Sequence, residues 1–94
     1  VGISPLDQVQ GQVLVAVPNP ATGSTVLTWR AAQGGTQVVE VMDATGRVVH
    51  RTSTVALAGT EQRVELDLSD LQAGLFMVVL RDRDGMLSTR LVVE

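Results

Sequence analysis

Short runs in which apolar and polar residues alternate, each closed by Gly, Asp, Asn or Pro, recur along the whole chain at spacings of about 8 to 14 residues, the rhythm of an all-β domain. The clearest run is 63–68, where Val64, Leu66 and Leu68 alternate with Arg63, Glu65 and Asp67. That period of two predicts a strand with one face on a core and the other in water. Residues 24–30 predict a second such strand, with Thr25, Leu27 and Trp29 on one face. In 37–42 both faces carry apolar groups, Val39 and Val41 against Val38 and Met42, which places that strand inside a sheet. The run 75–81 is nearly all apolar and reads as a central strand with Phe76, Val78 and Leu80 facing the core. Residues 12–17, 47–52 and 86–93 complete the set, the last with Leu87, Thr89, Leu91 and Val93 inward and Arg90 outward.

The connections follow from turn chemistry. Pro18-Asn19-Pro20 ends the first strand, because neither proline donates to a ladder and each biases its predecessor away from helix. Asn19 is suited to holding that corner through a side-chain to backbone bond. Gly34-Gly35 supplies a reversal. Asp43-Ala44-Thr45-Gly46 has the Asp opening and Gly close of a type I turn leading into a hairpin, and Asp82-Arg83-Asp84-Gly85 reads as a second hairpin turn. Residues 54–60 read as a loop with an Ala/Leu patch tucked against an edge of the core. Residues 69–74 read as a single helical turn or 3₁₀ connector, with Leu71 as buried anchor and Gly74 as exit. The fold class is all-β: a seven-stranded antiparallel β-sandwich with immunoglobulin-like Greek-key connectivity, since two packed sheets are needed to cover the apolar faces. Residues 1–11 lack periodicity and read as a linker or lead-in, and 12–94 as the domain. A start at Val1 without an initiator Met favours a piece of a longer polypeptide.

Composition narrows the function classes. Hydrophobic residues make up 45% of the 94 and aromatics 2%, so small branched side chains fill the core around Trp29 and Phe76. The net charge of -3, with seven Arg, no Lys and ten carboxylates, lacks the basic footprint that nucleic acid demands. A chain without cysteine excludes thiolate catalysis and the usual structural zinc sites. No stretch approaches the ~20 apolar residues that span a bilayer as a helix. His50 is the single histidine and reads as a polar residue on the solvent face, so neither a two-histidine metal site nor a serine triad has its parts. Asp82-x-Asp84-Gly85 resembles the front of a calcium loop, but the remaining ligands are missing, since Met86 and Leu87 follow. The chain is accordingly read as non-enzymatic, with no catalytic residue, cofactor or metal.

The motifs that remain form an ordered series: Val17-Pro18-Asn19-Pro20, Gly23, Asp43-Ala44-Thr45-Gly46-Arg47, Leu71-Gln72-Ala73-Gly74-Leu75-Phe76 and Arg90-Leu91-Val92-Val93. Over about residues 13–94 this series resembles the C-terminal sorting domains read by the type IX secretion system. Val17 and Phe76 stand where that family usually carries Tyr, and Arg90 where Lys is frequent. The resemblance implies a signal domain that directs a larger exported protein, fused upstream, across the outer membrane of a Bacteroidota-type bacterium. It implies as partners the translocon and a sortase-like protease that cuts near residues 1–11, with passage through the periplasm to the cell surface or the medium. Recognition would fall on Pro18, Asn19, Pro20, Asp43, Gly46, Arg47, Gly74, Arg90, Leu91, Val92 and Val93. Asp43, Asp84 and Arg90 would tune partner choice by charge, and the last strand would offer its backbone for strand addition. Two readings from other classes stay open: a carbohydrate-binding β-sandwich module of a secreted glycoside hydrolase, and a structural immunoglobulin-like spacer. The first requires an exposed aromatic platform, for which Trp29 is the one candidate ring; the expectation is that Trp29 packs under the Gly34-Gly35 loop.

Overall fold

A computed structural model describes residues 14–31, 33–82 and 85–94. Seven strands follow one another in these residues: β1 (Val15–Thr22), β2 (Ser24–Arg30), β3 (Gly35–Met42), β4 (Val48–Ala56), β5 (Glu61–Asp67), β6 (Gly74–Asp82) and β7 (Gly85–Val93). They form an all-β sandwich with immunoglobulin-like connectivity. One sheet pairs β1, β2 and β5, and the other runs β4-β3-β6-β7-β1. Every pairing is antiparallel except the rung of Ala21 beside Val93, where β1 runs parallel to β7.

The alternation read from the sequence sets which side chains meet between the sheets. Thr25, Leu27 and Trp29 of β2 and Leu66 of β5 point inward from one sheet. Val39, Val41, Phe76, Val78, Leu80, Leu87, Leu91 and Val93 point inward from the other, and all are buried. Val64 and Leu71 pack against this core while remaining partly exposed. Two polar side chains are buried with them. Gln37 Oε1 accepts from Trp29 Nε1 at 2.9 Å, and Gln37 Nε2 donates to Asp82 Oδ2 at 3.3 Å, so the indole N–H is satisfied inside the core. Thr25 Oγ1 donates to the Pro18 carbonyl at 2.8 Å.

Three expectations change. The proline corner does not end the first strand. β1 pairs with β2 at Val15, Ala16 and Val17, shifts register, and continues on the far side of the corner to reach β7 at Ala21. Prolines are tolerated there because this is a sheet edge, where a missing donor costs no ladder bond. The second change is that β4 runs on to Ala56, pairing Thr54, Val55 and Ala56 with Gln37, Thr36 and Gly35. Only residues 57–60 remain as the link to β5. The third is that the connection between β5 and β6 forms no helical turn. It is a chain of tight bends, in which the Leu71 N–H donates to the Leu68 carbonyl at 2.9 Å. The lead-in at 1–11 and residues Arg83 and Asp84 lie outside the described residues, although the β6–β7 ladder closes with Asp82 opposite Gly85.

Candidate functional site: the corner and the terminal strand

Both X-Pro bonds of the Val17-Pro18-Asn19-Pro20 corner are cis. The corner turns the Asn19 side chain onto β7. Its Nδ2 donates to the Arg90 carbonyl at 2.8 Å, and its Oδ1 accepts from the Val92 N–H at 3.0 Å. A carboxamide presents one donor and one acceptor, as a peptide unit does. Asn19 therefore fills the place that a neighbouring strand would take along this stretch of β7. Backbone takes over one residue beyond the corner, where the Glu94 N–H donates to the Ala21 carbonyl at 2.9 Å. Of the terminal residues singled out in the sequence, Leu91 and Val93 are buried, Arg90 is exposed and Val92 is half-buried. The corner expected to be held locally is thus held by a strand 71 to 73 positions away. The β7 edge expected to be open to strand addition is occupied from Arg90 onward.

The remaining predicted residues make a second cluster. Asp43 opens the β3–β4 hairpin: its carbonyl accepts from the Gly46 N–H and its N–H donates to the Arg47 carbonyl, both at 2.9 Å. Its Oδ1 accepts from the Thr45 N–H at 2.9 Å, from the Thr45 hydroxyl, and from the Arg47 N–H at 3.1 Å. The Arg47 guanidinium stands 3.5 Å from Oδ2. The Thr45 hydroxyl above all, then the backbone N–H groups and the guanidinium, hold this carboxyl below its usual 3.8. Asp67 is lowered in the same way, chiefly by the Ser69 hydroxyl and then by the Ser69 N–H, which donates to Oδ1 at 3.0 Å. Gly46 has φ +88°, a left-handed conformation that a side chain at this turn would oppose. Across an open depression of about 480 Å³ the hairpin faces the 70–76 segment, with Thr45, Arg47, Leu71, Gln72 and Phe76 among its lining.

Register joins the two clusters. Gly74 lies opposite Val93, and Val93 beside Ala21, so one row across three strands links the segment after Leu71 to the corner. The eleven predicted recognition residues fall in the corner, in the β3–β4 hairpin, at Gly74 and on the terminal strand β7, where Arg90 is tied to the corner by Asn19. Sequence reasoning missed Gln37 and Thr25. A lone Gln in phase with Val39 and Val41 was the available signal for the first; the second was placed on the face of Leu27 and Trp29, but nothing in the pattern marks its bond to the Pro18 carbonyl. Trp29 and Phe76 are only 3% and 7% exposed, so neither of the chain's two rings presents a stacking surface for a sugar. His50 is half-buried on β4 rather than fully on a solvent face.

A small β-sandwich whose distinguishing residues build one end of a sheet, beside an open and shallow depression, is a module read by its surface. The chain matches the family model described as secretion system C-terminal sorting domain over residues 16–94, and it belongs to that family. It is a sorting-signal domain of type IX secretion, a role that implies export. Two solved structures from Porphyromonas gingivalis are similar. Dimeric latent PorU matches with a TM-score of 0.65 and 22% identity, over 85% of this chain and 9% of that one. PorZ, described as an essential bacterial surface component of the type-IX secretion system, matches with a TM-score of 0.60 and 20% identity, over 99% of this chain and 13% of that one. At these identities the likeness is one of fold, and the chain spans only a small part of either protein. No curated protein matches the sequence. Among the described residues no helix is long and apolar enough to cross a membrane.

Proposed function

We propose that the domain is an address read in its folded state by the type IX translocon, carried behind a larger cargo. The cargo is brought through the periplasm to the outer membrane. There a sortase-like protease cuts within residues 1–11, and the cargo is attached at the surface or released. The observation that carries this reading is the Asn19 bond pair to Arg90 and Val92, which makes the corner and the terminal strand one object. Pro18, Asn19, Pro20, Arg90 and Val92 form the part read directly, while Leu91 and Val93 anchor that strand in the core. Asp43, Gly46, Arg47 and Gly74 shape the adjoining hairpin and bend. The domain itself carries out no chemistry: its role is contour and charge.

The test fuses residues 1–94 behind a periplasmic reporter, in a host with the secretion system and in the same host lacking its translocon. Surface or medium localisation in the first host alone supports the proposal. Retention in both hosts rejects it and leaves the spacer reading.

A further inference from the structure

The five-stranded sheet turns its second face outward, and that face is unlike the rest of the surface. Val48, Met77 and Arg90 fall in one row across it, Arg51, Glu40 and Val79 in the next, and Arg81 beside Met86 in a third. Val48, Leu75, Met77 and Met86 on this face are 40% to 61% exposed, and Val55 at its edge reaches 74%. Glu40 is the only carboxylate in these rows and is shared: Arg81 Nε lies 2.9 Å from Oε1 and Arg51 Nε 3.6 Å from Oε2. Arg90 has no carboxylate within ion-pair distance among the described residues. The outer face of the three-stranded sheet also exposes apolar groups, Val15 and Val17 at 40% and 61%, but its charges are mainly acidic, Glu61, Glu65 and Asp67 of β5 against Arg30 and Arg63. In a chain of net charge -3, excess positive charge and exposed apolar surface thus coincide on one sheet face.

We infer that this face, centred on Leu75, Met77 and Met86 and edged by Arg51, Arg81 and Arg90, docks a protein surface that is apolar at its centre and carboxylate-bearing at its rim. Exposed apolar patches of this kind mark interaction sites. Met and Arg with no Lys is the composition of protein interface cores, Met because it adapts its shape and Arg because it pairs bidentately with carboxylates. Charge decides the occupant. Glu40 engages only the Nε of Arg51 and of Arg81, while Arg81 Nη1 lies 3.8 Å from Met86 Sδ, and Arg90 has no carboxylate within ion-pair distance among the described residues. A membrane fits less well, because the chain's overall negative charge opposes an anionic leaflet and Glu40 lies between two of the guanidiniums that would meet it. The inference deepens the sorting reading and rests on it for the process served, while the surface itself is argued from the sheet.

The experiment uses the same reporter fusion. Leu75→Asp/Met86→Asp and Arg90→Glu are compared with Val15→Asp, which places a charge on the outer face of the other sheet, and the melting temperature of each fusion is recorded. With folding retained, the two face variants lower export by about tenfold or more, as loss of an interface anchor does, and Val15→Asp leaves it unchanged. A Leu75→Asp/Met86→Asp variant that folds and is exported like the parent overturns the inference while leaving the sorting function standing. A single cysteine introduced as Met77→Cys or as Thr28→Cys, carrying a photo-crosslinker in living cells, gives an independent reading because the chain has no cysteine of its own. A protein adduct from position 77 but not 28, abolished by about 0.5 M salt, supports the inference even if the parent fusion is retained and the sorting reading fails. No adduct, or equal adducts from both positions, overturns it. Binding of the fusion to vesicles of phosphatidylglycerol and phosphatidylcholine through Arg90, without a protein adduct, overturns it in favour of a lipid surface.

Discussion

Replacing Asn19 by alanine removes two hydrogen bonds and almost no packing, so the cost is accessible from the structure. The bonds to the Arg90 carbonyl and from the Val92 N–H are 2.8 and 3.0 Å long and lie at the surface. Each is worth about 0.5–1.5 kcal/mol net. Water replaces the lost carboxamide at both backbone groups, so no desolvation penalty is added, and the expected loss is about 1–2 kcal/mol. For a domain of this size one kcal/mol moves the midpoint by about 4–8 °C, so the midpoint of Asn19→Ala falls by roughly 4–16 °C. Asn19→Asp distinguishes a clamp from a generic corner residue. It keeps the acceptor for Val92 but sets an oxygen against the Arg90 carbonyl, so at neutral pH it is at least as damaging as alanine. Protonating that carboxyl restores a donor, and the gap to the parent narrows below about pH 4. Hydrogen exchange at the Val92 amide accelerates in Asn19→Ala, which removes its acceptor. A midpoint within about 1 °C of the parent, together with unchanged Val92 protection, would falsify the clamp.

Three further outcomes are expected. Phe76→Ala, which empties a buried ring position, costs about 3–5 kcal/mol in denaturant unfolding, and a near-neutral result contradicts the placement of β6. Gln37→Leu leaves the Trp29 N–H buried without its acceptor, costs about 1–3 kcal/mol and shifts the emission of the chain's single tryptophan. Asp43 and Asp67 have folded-state pKa values below 3.8, so their contribution to stability is complete above that value and disappears as pH falls through the folded one. Asp43→Asn therefore flattens the acid limb of the stability profile, and an unchanged limb contradicts the turn geometry.

Where burial follows a strict period, the sequence was sufficient. Leu66 on β5, Val39 and Val41 on β3 and Phe76, Val78 and Leu80 on β6 all face the core as their alternation requires. The extension of β4 was hidden because Ser53 and Thr54 lie on an edge strand with little apolar face to announce it, and their pairing is supplied by β3. The corner was found, but its role was not. Pro18-Asn19-Pro20 predicts a bend from local chemistry, whereas the partner of Asn19 is chosen by how the chain passes between the sheets. The exposed face of the five-stranded sheet was equally illegible. Leu75 and Met77 look like ordinary members of an apolar run until a three-dimensional register shows that nothing among the described residues covers them.

The span of the Asn19 bonds, 71 and 73 positions, bears on the order in which the domain is born. Vectorial synthesis delivers the corner before β7, so until β7 emerges Asn19 holds a carboxamide with nothing to grip. A ribosome that stalls before β7 yields a product with Leu91 and Val93 missing from the interior and the corner undocked. Such a fragment is a postmark only half struck, lacking the strand that Asn19 grips and the two side chains that close the interior.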